Sequence, residues 1–122
     1  MAKILVVDDR RELREMLGKV LMRFGYSVEV GRNGQEAVEL YRASRPDVVL
    51  LDMFMPVMNG FDALFLIRQE FPDARVIAVS GGGSNMGADA LREAQNLGAR
   101  MTLQKPVGRD ALLAAIEQVL AA

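Results

Sequence analysis

The chain contains no cysteine and no histidine. The first absence excludes disulfides and thiolate chemistry, and is compatible with a reducing compartment. The second excludes histidine acid–base catalysis, histidine ligation of a metal, and any role as a histidine phosphodonor. No apolar run approaches the roughly 18 residues that a membrane-spanning helix needs. Met1 to Val7 carries a basic residue and an apolar stretch, but leads into Asp8-Asp9-Arg10 in place of a small-residue cleavage site. A cytoplasmic location is therefore expected. The net charge of −1 offers no basic surface for nucleic acid or an anionic membrane, so neither is an expected partner.

What is present is the balance of an ordinary globular protein: 51% apolar and 25% charged residues in a chain of 122. That length suits one domain, taken as residues 1–122, with enough chain to bury a real core. No internal repeat, linker or low-complexity segment divides it.

The centre of the pattern is Asp47-Val48-Val49-Leu50-Leu51-Asp52, four large apolar residues running straight into a carboxylate. Pro46 precedes the run, and Met55-Pro56 with Asn59-Gly60 follows it. A short unbroken apolar run of this kind fits a strand covered on both faces, as in a parallel sheet. Similar strands are expected over Lys3 to Val7, Tyr26 to Val30, Ala74 to Val79 and Met101 to Leu103.

Helices fill the intervals. Leu13, Met16, Leu17, Val20, Leu21 and Phe24 form one apolar stripe, closed by Gly25. Asn33 is placed to cap a second helix reaching about Ser44, with Glu36 as its capping-box partner. A third runs from about Phe61 to Glu70, where Leu64, Phe65, Leu66 and Ile67 are consecutive and cannot share one face. Phe65 and Leu66 fit either a deeply packed helix or an exposed patch that binds a partner or a second copy. A fourth helix, about Met86 to Leu97, turns Ala90, Leu91, Ala94 and Leu97 inward and ends at Gly98. A fifth, Arg109 to Leu120, buries Leu112, Leu113, Ile116 and Leu120. Five strands alternating with five helices argue for an α/β fold, a (βα)5 doubly wound five-stranded parallel sheet with helices on both faces.

Right-handed crossovers bring the carboxyl ends of parallel strands to one edge, where such sheets hold their ligands. The first, third and fourth strands end in Asp8-Asp9, Asp52 and Ser80, and Lys105 follows the fifth. Two carboxylates about 4 Å apart repel by roughly 4 kcal/mol at an effective dielectric near 20. A cluster of three calls for a counterion, and oxygen ligands select a hard one, most simply Mg²⁺, or Mn²⁺ in its place. Mg²⁺ often bridges to phosphate oxygens, and Lys105 with the Ser80 hydroxyl faces such a group across the site.

Taken singly these residues have plainer readings. Asp8 and Asp9 are good helix caps, Asp52 a turn residue, Ser80 a residue before glycines, and Lys105 a surface charge. Gly81-Gly82-Gly83 reads as a strand-to-helix connection, since no P-loop lysine or Gly-x-Gly-x-x-Gly accompanies it.

Together, in order and at fitting spacings, Ile4 to Asp9, Pro46 to Asp52, Met55-Pro56, Asn59-Gly60, Ser80, Gly98-Ala99 and Lys105-Pro106 give a specific signal. The whole chain resembles the receiver domains of two-component response regulators. The resemblance implies the flavodoxin-like strand order 2-1-3-4-5 and a phosphoacceptor at Asp52, loaded by a histidine kinase or histidine phosphotransfer protein. It implies a Mg²⁺ site made by Asp9 and Asp52 directly, by Asp8 mainly through water, and by the Phe54 backbone carbonyl. Lys105 would pair with a phosphoryl oxygen, Ser80 would report the group's arrival, and the Lys105-Pro106 bond would be cis. Output would run through contact with a downstream protein, from a monomer or a phosphorylation-dependent dimer, and not through enzymatic turnover.

Two departures stand out. Thr102 occupies the place where the family commonly has an aromatic switch residue, three positions before the lysine. Phe54 sets a bulky ring beside the phosphoryl site, where it would shield an acyl phosphate from water. Three other functions fit less well. An aspartyl-phosphate phosphatase would want an acid at position 54; a receiver-like scaffold that is never phosphorylated would not need the full polar set. An FMN-binding flavodoxin would want a hydroxyl-rich loop where Asp8-Asp9-Arg10 would repel a phosphate.

Overall fold

The structure, a computed structural model, describes the chain apart from residues 82–84 and the side chains of Asn85 and Met86. The expected loop over Gly82, Gly83 and Ser84 lies outside the described residues. Ten elements alternate: β1 (Lys3–Val7), α1 (Arg11–Arg23), β2 (Ser27–Gly31), α2 (Gly34–Ser44), β3 (Val48–Asp52), α3 (Gly60–Glu70), β4 (Val76–Ser80), α4 (Asn85–Asn96), β5 (Met101–Gln104) and α5 (Arg109–Ala121).

The strands form one parallel sheet in the order β2-β1-β3-β4-β5, as the resemblance implied. Alternation along each strand divides the core in two. Ile4, Val6, Val48, Leu50, Ile77 and Val79 turn to one face, beneath α1 and α5. Leu5, Val7, Val49, Leu51, Val76 and Ala78 turn to the other, beneath α2, α3 and α4. Each large side chain fully removed from water contributes about 1.5–3 kcal/mol. β3 is buried along its entire length, and its last residue is Asp52.

Helix ends follow local chemistry. Gly25 and Gly98 take positive φ values of 93° and 105° just past α1 and α4, where a side chain would be strained. The Asn33 side chain accepts from the Glu36 amide at 2.9 Å, capping α2 as expected. The return half of the capping box differs: Glu36 accepts from the Arg32 amide at 2.8 Å, one residue earlier than predicted. The Arg32 guanidinium grips the same carboxylate, drawing it outward and holding its pKa below the usual range.

The apolar stripes need correcting in α1 and α5, while α3 divides its consecutive apolar residues between faces as expected. In α1 the buried residues are Leu17, Gly18 and Leu21, while Met16 and Phe24 are half exposed. Met16 lies about 100° around the helix from Leu17, and Phe24 is the cap residue beyond the last turn. In α3, Ala63, Leu64 and Ile67 are buried, Leu66 packs on the core rim, and Phe65 is 52% exposed. In α5 the core residues are Leu112, Ala115, Ile116 and Val119, with Leu113 and Leu120 at the margin.

Candidate functional site

Register brings the predicted residues to one edge. Val7 is level with Leu51, Asp52 with Val79, and Ser80 with Gln104. Asp8, Asp52 and Lys105 thus follow from strand tips on one edge of the sheet, with β4 between the last two, although they are spread widely in the chain. The Lys105 ammonium donates to Asp8 Oδ2 at 2.8 Å and to Asp52 Oδ2 at 3.3 Å. Both carboxylates are about 95% buried, and the lysine side chain only 14% exposed. Beside them a cavity of about 250 Å³ is lined by Asp9, Arg10, Asp52, Phe54, Gly81 and Lys105.

The remaining carboxylate oxygens are held by backbone. Asp8 Oδ1 accepts from the Arg10 amide at 2.8 Å, and Asp52 Oδ1 from the Phe54 amide at 3.3 Å. The Asp8 carbonyl accepts from Arg14 Nη1 at 2.8 Å, which ties the first turn of α1 to the end of β1. The Lys105 amide donates to the Ser80 carbonyl at 2.9 Å, so β4 fixes where the lysine leaves β5.

Burial pushes the Asp52 carboxyl above its ordinary value. The Lys105 ammonium opposes that rise, the Asp8 charge adds to it, and the Phe54 amide lowers it again. Burial thus outweighs the contact with Lys105.

Asp8, Asp9 and Asp52 each offer one oxygen within 4.8 Å of the others. An all-oxygen, carboxylate-rich set of this size fits a hard divalent cation. Asp9 is the exposed member, so its carboxylate is the one open to incoming ions.

The other predicted residues are placed less directly. Ser80 ends β4 fully buried, and its hydroxyl donates to the Gly81 carbonyl at 3.3 Å, not to Asp52 or Lys105. Thr102 is half-buried within β5, level with Ala78, and is not among the residues lining the cavity. The Phe54 ring does border the cavity, 48% exposed and packed edge-on against Phe61 with centroids 5.7 Å apart. The Lys105-Pro106 peptide is cis, as implied.

Some contributors were not legible. Arg10, grouped in the sequence with two phosphate-repelling aspartates, adds a cation to the cavity wall. Gly60 was read as a turn residue, but its role is close approach. Its amide donates to the Met53 carbonyl at 2.9 Å, and a Cβ there would fall 2.1 Å from the Asp52 carbonyl oxygen. Gly34 plays the same part from α2: its amide meets the Met58 carbonyl at 2.8 Å, where a Cβ would collide at 2.5 Å. These two glycines press α2 and α3 onto the loop behind Asp52. In the sequence Gly60 stood out only within Asn59-Gly60, and Gly34 only as the residue after the Asn33 cap.

A family model for the response regulator receiver domain matches residues 4–117. The chain is 37% identical over 119 residues to the chemotaxis protein CheY of Thermotoga maritima, covering 96% of each. It is 38% identical over 120 residues to CheY of Bacillus subtilis, covering 97% of each. A solved response regulator receiver domain protein from Clostridium thermocellum superposes with a TM-score of 0.92 at 31% identity, covering 99% of this chain and 95% of that one. With parallel strands in the same order and the acidic edge in place, the chain belongs to the receiver domains of two-component response regulators.

Proposed function

We propose that the chain accepts a phosphoryl group on Asp52 from a phosphohistidine of a histidine kinase or phosphotransfer protein. The observation that carries this is the Asp52 carboxylate, buried at a strand tip, bordering a cavity, and sharing one ammonium with Asp8. An Asp52 oxygen attacks phosphorus, the P–N bond of the donor breaks, and the departing imidazole takes up a proton. The product on this chain is an acyl phosphate, formed by carboxylate nucleophilic catalysis.

The other residues follow from where they stand. Lys105 exchanges its contact with Asp52 for one with a phosphoryl oxygen. Asp9 and Asp52 would hold Mg²⁺ or Mn²⁺ directly, with the Phe54 carbonyl as a further ligand and Asp8 acting mainly through water. When bound, the cation supplies charge neutralisation and Lewis-acid polarisation. The Ser80 hydroxyl leaves Gly81 and turns to the phosphoryl group, and Phe54 screens it from water. The change in Lys105 and Ser80 is passed to β4, β5 and a protein-binding face, without the aromatic readout that Thr102 replaces. The output is a signal in the cytoplasm, carried to a downstream protein, and not turnover of a substrate.

The test is incubation with Mg²⁺ and acetyl phosphate followed by intact mass, on wild type and Asp52→Asn. One phosphoryl group on the wild type and none on the variant is the expected result. No adduct on the wild type would favour an unphosphorylated scaffold; an adduct on both would move the acceptor elsewhere.

A further inference from the structure

Arg10 stands where two cavities meet. It lines the acidic cavity with Asp9, Asp52, Phe54, Gly81 and Lys105, and also an adjoining groove of about 350 Å³ with Leu13, Met16, Pro106 and Val107. Its backbone is fastened to the site, because its amide holds Asp8 Oδ1 at 2.8 Å. Its guanidinium is exposed, and among the described residues it makes no ion pair or hydrogen bond.

Charge gives this arrangement a consequence. Asp8, Asp9 and Asp52 carry three negative charges against the single ammonium of Lys105, which already spans two of them. A divalent cation brings that set only to neutrality. A phosphoryl dianion entering the cavity therefore meets no net positive charge from these four residues and the ion together. Arg10 is the remaining cation on the wall. Its planar fork suits phosphate oxygens in a way an ammonium does not.

We infer that Arg10 is a phosphodonor-binding residue, whose guanidinium holds the incoming phosphoryl group before transfer. It serves small acyl phosphates most, since these bring no protein surface of their own to bind with. The inference rests on Asp52 being the acceptor, and concerns which donors that site takes.

The experiment measures the rate of Asp52 phosphorylation against acetyl phosphate concentration, at constant Mg²⁺, for wild type, Arg10→Ala, Arg10→Lys and Arg10→Glu. Arg10→Ala is expected to raise the half-saturating concentration about five-fold with the maximal rate little changed. Arg10→Lys falls between the two, and Arg10→Glu exceeds Arg10→Ala. The gap between wild type and Arg10→Ala narrows as salt is raised. A second arm titrates inorganic phosphate into Mg²⁺-loaded protein, followed by the amide signals of Gly81 and Lys105, where Arg10→Ala binds more weakly. Equal half-saturation in wild type and Arg10→Ala overturns the inference. So does a loss confined to the maximal rate, or one that tracks a fall in thermal midpoint. If the wild type takes no phosphoryl group, the acceptor assignment fails by itself. The phosphate titration then decides on Arg10, and equal binding overturns it.

Discussion

β3 and β5 both deliver a residue to the same cavity, yet they are built differently. β3 lies in the middle of the sheet, paired with β1 and β4, and every one of its residues is buried. β5 is four residues long, pairs only with β4, and is half-buried or exposed throughout. Asp52 therefore sits on a mount that packing fixes from both faces. Lys105 sits at the end of an edge strand, held by the Ser80 carbonyl and by the two carboxylates it neutralises. Lys105 is the group with partners to exchange, so the proposed phosphorylation of Asp52 would act on the β5 side and not on the buried β3 mount. Under the proposed phosphotransfer, the chemistry belongs to the fully buried strand and the response to the edge strand.

The strongest break in that comparison is core truncation. Leu50→Ala in β3, where the side chain is 2% exposed, is expected to cost about 3 kcal/mol in denaturant unfolding. Leu103→Ala in half-buried β5 should cost about 1 kcal/mol. Equal losses would mean that the two strands are equally anchored.

Next in size is the ammonium. Lys105→Met leaves Asp8 and Asp52 facing each other without a cation, and should lower stability by about 2 kcal/mol in the absence of divalent ions. Mg²⁺ should restore most of it, and bind about ten-fold more tightly than to the wild type. A variant whose stability ignores Mg²⁺ would separate the lysine from the acidic site.

The third prediction concerns pH. Burial raises the Asp52 pKa in the folded chain, so the folded state favours the protonated carboxyl. The associated stability is fully present below the ordinary carboxylate value and is lost as pH rises through the raised one. Asp52→Asn, measured without divalent ions, should therefore raise the thermal midpoint at neutral pH. That gain should shrink as pH falls through the same window. A gain of constant size down to acid pH would assign it to something other than this titration.

Two smaller effects lie in the loop between β3 and α3. Phe54→Ala should speed loss of the phosphoryl group several-fold by admitting water, and equal lifetimes would defeat the screening role given to its ring. Val57 holds a φ of 71° while 78% exposed, a strained conformation for a β-branched residue. Val57→Gly should stabilise the fold by about 0.5 kcal/mol, after the larger unfolded-state entropy of glycine is set against the relieved strain.

The parts of this molecule readable from sequence are helix ends and strand tips, whose signals are local, and a site whose residues are ambiguous singly but specific as an ordered set. An apolar run ending in a polar residue marks a strand tip, which puts Asp8-Asp9, Asp52 and Ser80 at the edge of the sheet. Asn33, Gly25 and Gly98 announced helix ends through side-chain and backbone chemistry that is local. What stayed hidden depends on reach and approach between elements. Nothing in Arg10 or Arg14 says that one borders the cavity while the other holds the Asp8 carbonyl. Gly60 matters for a side chain it lacks, against an oxygen eight residues earlier in the chain. Met16 and Gly18 exchange the roles that hydrophobicity alone would assign: Gly18 of α1 is buried, where an added Cβ would meet Val28 at an ordinary 3.7 Å, while Met16 is half exposed.

The proposed nucleophile, the carboxylate that ends buried β3, can be identified chemically. Protein treated with Mg²⁺ and acetyl phosphate is reduced with borohydride, which converts an aspartyl phosphate to homoserine, and the peptides are then mapped by mass. Homoserine is expected at position 52 alone. Homoserine at position 8 or 9, or at none, would contradict the proposal.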